Sequence, residues 1–278
     1  MQPQPDMLDL VARLKAGGEA FALATVVRTV SVTAAKAGAK AVIRPDGTIT
    51  EGWIGGGCAR AAVLRAARDA LADGQPRLVS IQPQDLLAEK GVKPGDEREG
   101  VRFARNMCPS QGSMDVFVEP MLPRPRLVVL GASPVAVALA DLAPRFGYHL
   151  TVCATMEDQP RFAEADQRIE GYALPVSADG RRYLVVATQG RGDEAALKAA
   201  LSVDAEHIAF VGSRRKMAAL RDGLIEDGIG PERLDRVKGP AGLDLGAITP
   251  DEIALSILAE ILQIRRRDQR QPANMHVS

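Results

Sequence analysis

The chain has 278 residues, of which 46% are hydrophobic, and its 35 basic residues balance its 35 acidic ones. This length exceeds that of a usual single core, and the apolar content suffices for two domains of a globular protein. The lack of net charge disfavours nucleic acid and acidic membrane surfaces as partners, and it favours small molecules or proteins.

The cysteines and the first residues indicate the compartment. Cys58, Cys108 and Cys153 form no CxxC pair, so the sequence contains no legible structural zinc site, and the odd, widely spaced set fits a reducing compartment. The first residues are rich in Gln and Pro rather than basic and then apolar, and no apolar run reaches membrane-spanning length. We therefore expect a cytoplasmic protein that is neither exported nor inserted into a membrane.

The first 122 residues predict an α+β domain. Apolar positions at helical spacing predict helices, and short apolar or alternating runs predict strands. In chain order these are a helix over 7–15, strands over 21–30 and 40–44, a helix over 58–71, and strands over 77–81 and 115–118. The charged segment 84–105 carries Gly and Pro, and it fits either a long excursion or a short hairpin.

The most informative motif of this domain is the glycine run that ends in Cys58. Gly55, Gly56 and Gly57 let backbone N–H groups approach a ligand, and the apolar spacing after them predicts a helix that begins at Cys58. Free N–H groups at a helix N-terminus favour anions and lower the pKa of a thiol, so Cys58 is a candidate nucleophile or metal ligand. The alternative is a small buried cysteine after an ordinary turn. Trp53, the only tryptophan, fits a lid or the core.

A proline-rich segment separates the two domains. Three prolines within residues 120–125 enforce an extended chain between two patterned regions. We place the boundary at Leu122, so that the domains comprise residues 1–122 and 123–268. The polar residues 269–278 predict a disordered tail.

The second domain predicts a Rossmann-like, doubly wound parallel sheet. Short apolar runs suited to buried parallel strands alternate with helical patterns, which is the signature of consecutive βαβ units. The strands are predicted over 126–130, 149–153, 183–187 and 207–211. Pro144 should kink or fray the end of the first helix. The fold class is therefore α/β, with an N-terminal α+β domain followed by a Rossmann-like domain.

The turns after these strands are candidate binding elements. Right-handed crossovers bring the turns at 131–133, 188–190 and 212–213 to one edge of the sheet, where they would line a common crevice. As a dinucleotide fingerprint the first turn is poor, because Gly131 is the only one of three glycines and Pro134 comes early in the helix. We therefore expect no turnover of NAD(P).

The third turn is a better candidate anion site. Gly212 and the N-capping Ser213 are followed at once by three cations, the first of which is Arg214. The alternative is a solvated basic first turn of a helix. The last helix is structural, since Thr249 and Glu252 predict a capping box before an apolar helical pattern.

Seven segments spread over nearly the whole chain carry a resemblance to a known family. The N-terminal ones are residues 24–27, 37–40, 55–58 and 112–120, with Cys108 shortly before the last. The C-terminal ones are residues 190–197, 211–216 (VGSRRK) and 242–254 (GLDLGAITPDEIA). This combination resembles the XdhC/CoxI proteins, which mature xanthine dehydrogenase and carbon monoxide dehydrogenase-type enzymes.

The resemblance implies a cytoplasmic and usually homodimeric carrier rather than a catalyst. Such a protein binds the molybdenum cofactor (molybdopterin) and shields it while a cysteine desulfurase supplies the sulfido ligand. It then transfers the cofactor to an apo molybdenum hydroxylase. A glycine-rich helix N-terminus suits the phosphate of the pterin, and soft sulfur suits molybdenum or its dithiolene.

The resemblance also implies which residues contact the cofactor. Cys58 and Cys108 would be sulfur donors, guards, or ligands of molybdenum or copper, although Cys108 alone also fits a plain loop thiol. Cys153 is expected in the core. The other implied contacts are Lys40, Gly55, Gly56, Gly57, Gly131, Ser133, Gly212, Ser213 and Arg214.

The chain departs from the family pattern at two places. Family members often have an acidic residue two positions after the motif cysteine, where this chain has Arg60. They also carry a fuller glycine turn where this chain has Ser133 and Pro134, which weakens the expectation of nucleotide binding. The altered turn resembles a subgroup associated with carbon monoxide dehydrogenase-like enzymes, whose clients also need copper.

Two other classes of function remain open besides the carrier. An NAD(P)-dependent oxidoreductase is suggested only by the βαβ pattern, and titration with nucleotide would reveal it. A scaffold without a small ligand would dock client enzymes through the second domain or the arginine-rich end, and it would still capture a client after both thiols were removed.

Overall fold

The computed structural model describes residues 7–31, 33–109, 111–175 and 181–267. The chain divides into two compact units, Met1–Pro123 and Arg124–Ser278, which are called the N-terminal unit and the C-terminal unit below. Within the described ranges, no helix has both the length and the apolar character that crossing a membrane requires.

The N-terminal unit is built on a seven-stranded mixed sheet. Its strands are β1 (Phe21–Val30), β2 (Lys40–Ile43), β3 (Ile49–Gly52), β4 (Arg77–Gln82), β5 (Glu97–Arg98), β6 (Val101–Arg105) and β7 (Ser113–Met121). Its helices are α1 (Met7–Ala16), α2 (Gly57–Asp73) and α3 (Gln84–Glu89). The strand order is β3-β2-β1-β7-β4-β6-β5, and all neighbours are antiparallel except the parallel pair β4 and β6.

Helix α2 covers one face of this sheet. Alternate residues of β1, namely Ala22, Ala24 and Val26, form one buried cluster with Val63 and Ala66 of α2. The opposite face is covered at one end by α1, whose Leu14 is buried with Phe21 and Val42. The period-2 alternation of the strands thus divides the apolar side chains between the two helices.

The structure of this unit contains one of the two alternatives left open for residues 84–105, and it adds two elements. The segment includes a short hairpin of β5 and β6, in which Glu97 is opposite Arg102, and helix α3 before it was not predicted. Strand β3 is additional, and it follows a tight turn in which Asp46 accepts the N–H of Thr48 (2.8 Å) and Gly47 has φ +85°. An Asp-Gly pair between short runs is a hairpin signal that could have predicted this strand.

The C-terminal unit is a parallel, doubly wound sheet, as predicted. Its strands are β8 (Arg126–Leu130), β9 (His149–Ala154), β10 (Gln167–Glu170), β11 (Arg182–Val186), β12 (His207–Phe210) and β13 (Val237–Lys238), in the order β10-β9-β8-β11-β12-β13. Its helices are α4 (Pro134–Leu142), α5 (Asp193–Leu201), α6 (Arg214–Glu226), α7 (Pro231–Leu234) and α8 (Pro250–Arg266). One face of the sheet is buried with α4 and α8, and the other with α5 and α6.

Local signals in this unit fall where the sequence places them. Helix α4 ends at Leu142, and a 3-10 turn that contains Pro144 follows, because proline cannot continue the α-helical ladder. Cys153 is fully buried, which confirms its place in the core.

One edge strand of this unit was not predicted. Strand β10 has the sequence Gln167–Glu170, which is that of a polar edge strand. The predicted tail 269–278 lies outside the described residues.

Candidate functional site

The glycine turn of the N-terminal unit starts where β3 ends. The N–H of Trp53 donates to the carbonyl oxygen of Lys40 (2.9 Å). Gly52 has φ +89°, and a Cβ atom there would overlap the same carbonyl, so only glycine fits. Trp53 is 52% exposed, which places it outside the core.

The N-terminus of helix α2 is open. Helix α2 begins at Gly57, one residue before the predicted start, so Cys58 is its second residue. Among the described side chains none caps the helix, and its first turn carries no acidic residue. A Cβ atom added to Gly56 or Gly57 would meet no atom within 4 Å. There is therefore free space beside both glycines, and an anion could approach the uncapped first turn of α2 there.

The loop that carries Cys108 is closed by one side chain. Asn106 donates from Nδ2 to the carbonyl of Gly112 (2.6 Å), and its Oδ1 accepts the N–H of Cys108 (2.9 Å). The N–H of Gln111 donates to the carbonyl of Cys108 (3.1 Å), which tightens the turn further. Cys108 itself is exposed.

The structure brings this loop and the glycine turn to the same end of the sheet. Met114 is the second residue of β7, the strand that follows the Cys108 loop, and its side chain lies 3.9 Å from the position of a Cβ atom at Gly55. Gly55 has φ +105° and is buried beside Met114. The glycine turn and the loop that carries Cys108 therefore lie close to each other in space within this unit.

Lys40 does not join the glycine turn through its side chain. Its ammonium donates to the hydroxyl of Thr25 (3.0 Å), which lies opposite it in the β1–β2 register. Ala24 and Val26, on either side of Thr25, contact α2, so Thr25 and Lys40 belong to the other face of the sheet.

The C-terminal unit contains a cavity of about 400 Å³ at the edge of its sheet. Two of the three predicted turns line it, those after β8 and β11, together with the segment after β9. The third turn, with Gly212, Ser213 and Arg214, is not among the lining residues. The residues that line the cavity include Gly131, Ser133, Thr155, Asp158, Arg161 and Thr188.

The turn after β8 uses its polar groups within the fold. A Cβ atom at Gly131 (φ +112°) would lie 2.6 Å from the carbonyl oxygen of Ala187, so this glycine serves a close approach of two strand ends. The N–H of Ser133 donates to the same carbonyl (3.3 Å), its hydroxyl accepts the N–H of Ala136 (3.2 Å), and Pro134 has no N–H. Few amides are left here for a pyrophosphate, which agrees with the poor fingerprint.

The buried carboxylate of Asp193 connects the turn after β11 with helix α6, which follows the turn after β12. Asp193 accepts hydrogen bonds from the Thr188 hydroxyl and the N–H of Gly190 (3.1 Å), and it pairs with the ammonium of Lys216 (2.6 Å). Burial opposes its ionisation, but the bonds from Lys216 and Thr188 outweigh burial, and the pKa of Asp193 is lowered. One of the three predicted cations is thus neutralised, while Arg214 stays exposed.

Sequence reasoning missed two residues of this cavity. Arg161 donates from Nη1 to the carbonyl of Ala132 (2.6 Å) and to the carboxylate of Asp158 (3.3 Å). It thereby connects the segment after β9 to the turn after β8. Tyr172 donates its hydroxyl to the carbonyl of Arg191 (3.1 Å). No local motif marks either residue, because each reaches the cavity only through the fold.

The cysteines differ in chemical character. Burial raises the pKa of Cys153 to about 12, so this thiol stays protonated at neutral pH. In the part of the chain that the structure describes, no group of three or more His, Cys, Asp or Glu residues is placed to hold a metal ion.

Comparisons with known proteins connect these features to a family. The chain is 30% identical over 262 residues to the uncharacterized protein YqeB of Escherichia coli (strain K12), covering 91% of this chain and 45% of that protein. It is 29% identical over 161 residues to a probable xanthine dehydrogenase subunit of Bacillus subtilis (strain 168), covering 55% and 47%. The chain spans about half the length of the curated relatives it matches.

A crystal structure described as a xanthine dehydrogenase from Bacillus halodurans aligns with a TM-score of 0.45 and 19% identity, over 96% of this chain and 97% of that one. Two family models match in chain order, "XdhC and CoxI family" over residues 14–82 and "XdhC Rossmann domain" over residues 127–261. The first match contains the glycine turn with Cys58, and the second contains the doubly wound sheet. The chain belongs to the XdhC and CoxI family.

Proposed function

We propose that this protein is an accessory factor in the maturation of a molybdenum hydroxylase of the xanthine dehydrogenase or carbon monoxide dehydrogenase type. It binds the molybdenum cofactor, protects it during sulfuration and transfers it to the apo-enzyme, and it works in the cytoplasm without turning over a substrate. Membership of the family supports this proposal, as does the Bacillus subtilis relative named for xanthine dehydrogenase.

The open N-terminus of α2 is the observation that carries the proposal. Uncapped N–H groups and two glycines with free space around them suit an anionic group of the cofactor. Cys58 stands at the second helical residue, and the Cys108 loop is held at the same end of the sheet. When bound, the cofactor supplies molybdenum and a dithiolene, for which Cys58 and Cys108 are suitable soft ligands, as they are for copper.

The remaining partners follow from this role. A cysteine desulfurase supplies the sulfur, an apo molybdenum hydroxylase receives the cofactor, and the carrier acts as a homodimer. The second unit contributes to docking or to cofactor contacts through Gly131, Ser133 and the basic turn at Ser213 and Arg214.

The test is cofactor retention during purification. The protein is produced in a host that makes molybdenum cofactor and is purified anaerobically, and the bound pterin is then oxidised to its fluorescent form. We expect about one pterin per chain in the wild type and a loss of at least about tenfold in Cys58→Ser or Cys108→Ser, since a ligand bond contributes more than a kilocalorie. Cys153→Ala is the matched control and should retain the cofactor, because that thiol is fully buried in the core of the C-terminal unit.

Absence of pterin from correctly folded wild-type protein would contradict the carrier role. In that case, capture of an apo-hydroxylase by a variant without Cys58 and Cys108 would identify a scaffold. Retention in both cysteine variants would show that the thiols do not hold the cofactor.

A further inference from the structure

The N-terminal unit has a second feature beside the glycine turn, a cavity of about 490 Å³ between α2 and β6. The apolar part of its lining combines small side chains with larger ones, namely Ala61, Ala62, Val79, Ala104, Pro94, Phe103 and Met107. Ala62, Val79 and Ala104 belong to the buried cluster under α2, and Ala61 is exposed at the rim. Because alanine leaves the space that a larger side chain would fill, the cavity follows directly from the sequence of the two elements. Its volume lies within the range of small-molecule sites.

Three arginines line this cavity. Arg102 pairs with Asp69 of α2, so its charge is compensated. Arg65 and Arg105 are exposed, and within the described ranges neither guanidinium group has a hydrogen-bond or salt-bridge partner. The cavity therefore combines an apolar wall with two uncompensated guanidinium groups. Guanidinium groups bind phosphate in a bidentate manner, and an apolar lining suits the ring of a heterocyclic ligand.

The cavity lies between the two thiol-bearing segments. Ala61 and Ala62 follow Cys58 by three and four residues in the same helix, a rise of about 5–6 Å along its axis. On the other side, the lining residue Met107 directly precedes Cys108. A ligand in this cavity thus lies alongside the helix whose open end was described above.

We propose that this cavity binds the phosphorylated pterin portion of the cofactor, with Arg65 and Arg105 as phosphate ligands and the apolar lining against the ring. This inference rests on the proposed function and names the part of the site that recognises its cargo. The thiols at Cys58 and Cys108 then hold the metal end, and the arginines determine the chemical class of ligand, a planar heterocycle with a phosphate group.

The arginines have a matched control on the same helix. Arg68 is exposed on α2 like Arg65, but it does not line the cavity. Arg102 is left unchanged in the test, because its removal would strand the carboxylate of Asp69. Arg65 and Arg105 are exposed, so Arg65→Gln and Arg105→Gln should not impair folding, which thermal unfolding of each variant verifies.

The test measures binding of neopterin monophosphate and of neopterin to the full chain by the anisotropy of pterin fluorescence. We expect the wild type and Arg68→Gln to bind the phosphorylated probe at least about tenfold more tightly than the unphosphorylated one. The double variant Arg65→Gln/Arg105→Gln should lose this preference, with affinity for the phosphorylated probe lower by the same factor of at least about ten. Guanosine monophosphate as a competitor tests the ring, and its inhibition constant against the probe should be higher than the Kd of neopterin monophosphate.

The inference is overturned if the wild type does not distinguish the two probes, or if the double variant binds like Arg68→Gln. It is also overturned if guanosine monophosphate binds more tightly than neopterin monophosphate, which would make the cavity a nucleotide site. Failure here is distinguishable from failure of the carrier role. A double variant that still retains the cofactor on purification refutes the cavity alone, whereas a wild type that binds neopterin monophosphate through the arginines without retaining cofactor refutes the carrier alone.

Discussion

The carboxylate of Glu260 in α8 organises a loop of the C-terminal unit. It accepts the N–H of Gly242 (3.0 Å), pairs with the ammonium of Lys238 and lies 3.2 Å from Nε2 of His207. Lys238 also donates to the carbonyl of Gly242 (2.9 Å). A single buried acid thus ties β12, β13 and the following loop to the last helix, and no local sequence pattern announces it.

The neighbourhood of Glu260 makes stability depend on pH through His207. Burial and the positive charge of Lys238 lower the pKa of His207 to about 4, and Lys238 compensates the charge of Glu260. In the unfolded chain His207 takes up a proton near the ordinary histidine pKa of about 6.5, whereas in the folded chain it stays neutral down to about pH 4. The free energy of unfolding therefore falls as the pH falls from about 6.5 to about 4.

We expect this histidine to make the free energy of unfolding about 2 kcal/mol lower at about pH 5 than at about pH 7. Urea unfolding of the wild type and of His207→Gln at both pH values measures the difference. The variant should lose less stability over this interval, because it has no group to protonate. Equal pH dependence of the two proteins would contradict the assigned pKa shift.

Among the elements, helix α8 shows best how a local signal predicts structure. The hydroxyl of Thr249 accepts the N–H of Glu252 (3.3 Å), and the carboxylate of Glu252 accepts the N–H of Thr249 (2.9 Å) and of Ile248 (2.8 Å). This is the capping box predicted from the sequence, and it satisfies N–H groups that the helix cannot pair.

We expect Thr249→Ala to lower the free energy of unfolding by about 1 kcal/mol, since it removes one cap hydrogen bond. Thr249→Ser keeps the hydroxyl and should stay close to the wild type. Chemical unfolding that follows helix content measures both. If the serine variant were as unstable as the alanine variant, the methyl group rather than the hydroxyl would matter.

Elements with a strong local pattern were predictable, and those that depend on distant partners were not. Strand β8 has the predicted bounds, because a buried parallel strand needs a continuous apolar run. The glycine turn before α2 was predictable because glycines and helical spacing are read within a few residues. The cavity beside Arg65 was not, since Arg105 reaches it only through the parallel pairing of β4 and β6.

For the whole molecule, each unit has a core of its own. The N-terminal core is buried between the mixed sheet and α1 or α2, and the C-terminal core fills both faces of the parallel sheet. The chain passes from one unit to the other at Pro123 and Arg124. A unit that encloses its own apolar residues has what it needs to fold alone.

We therefore expect residues 1–123 and 124–278, produced separately, each to unfold in one cooperative transition. The chain offers a separate probe for each, because its one tryptophan, Trp53, lies in the first fragment and its three tyrosines, Tyr148, Tyr172 and Tyr183, lie in the second. Every residue that lines the cavity between α2 and β6 belongs to residues 61–107. The first fragment should therefore also keep the preference for neopterin monophosphate. A first fragment that folds but has lost this preference would mean that the second unit contributes to ligand recognition. A fragment without a cooperative transition would mean that its core is not sufficient by itself.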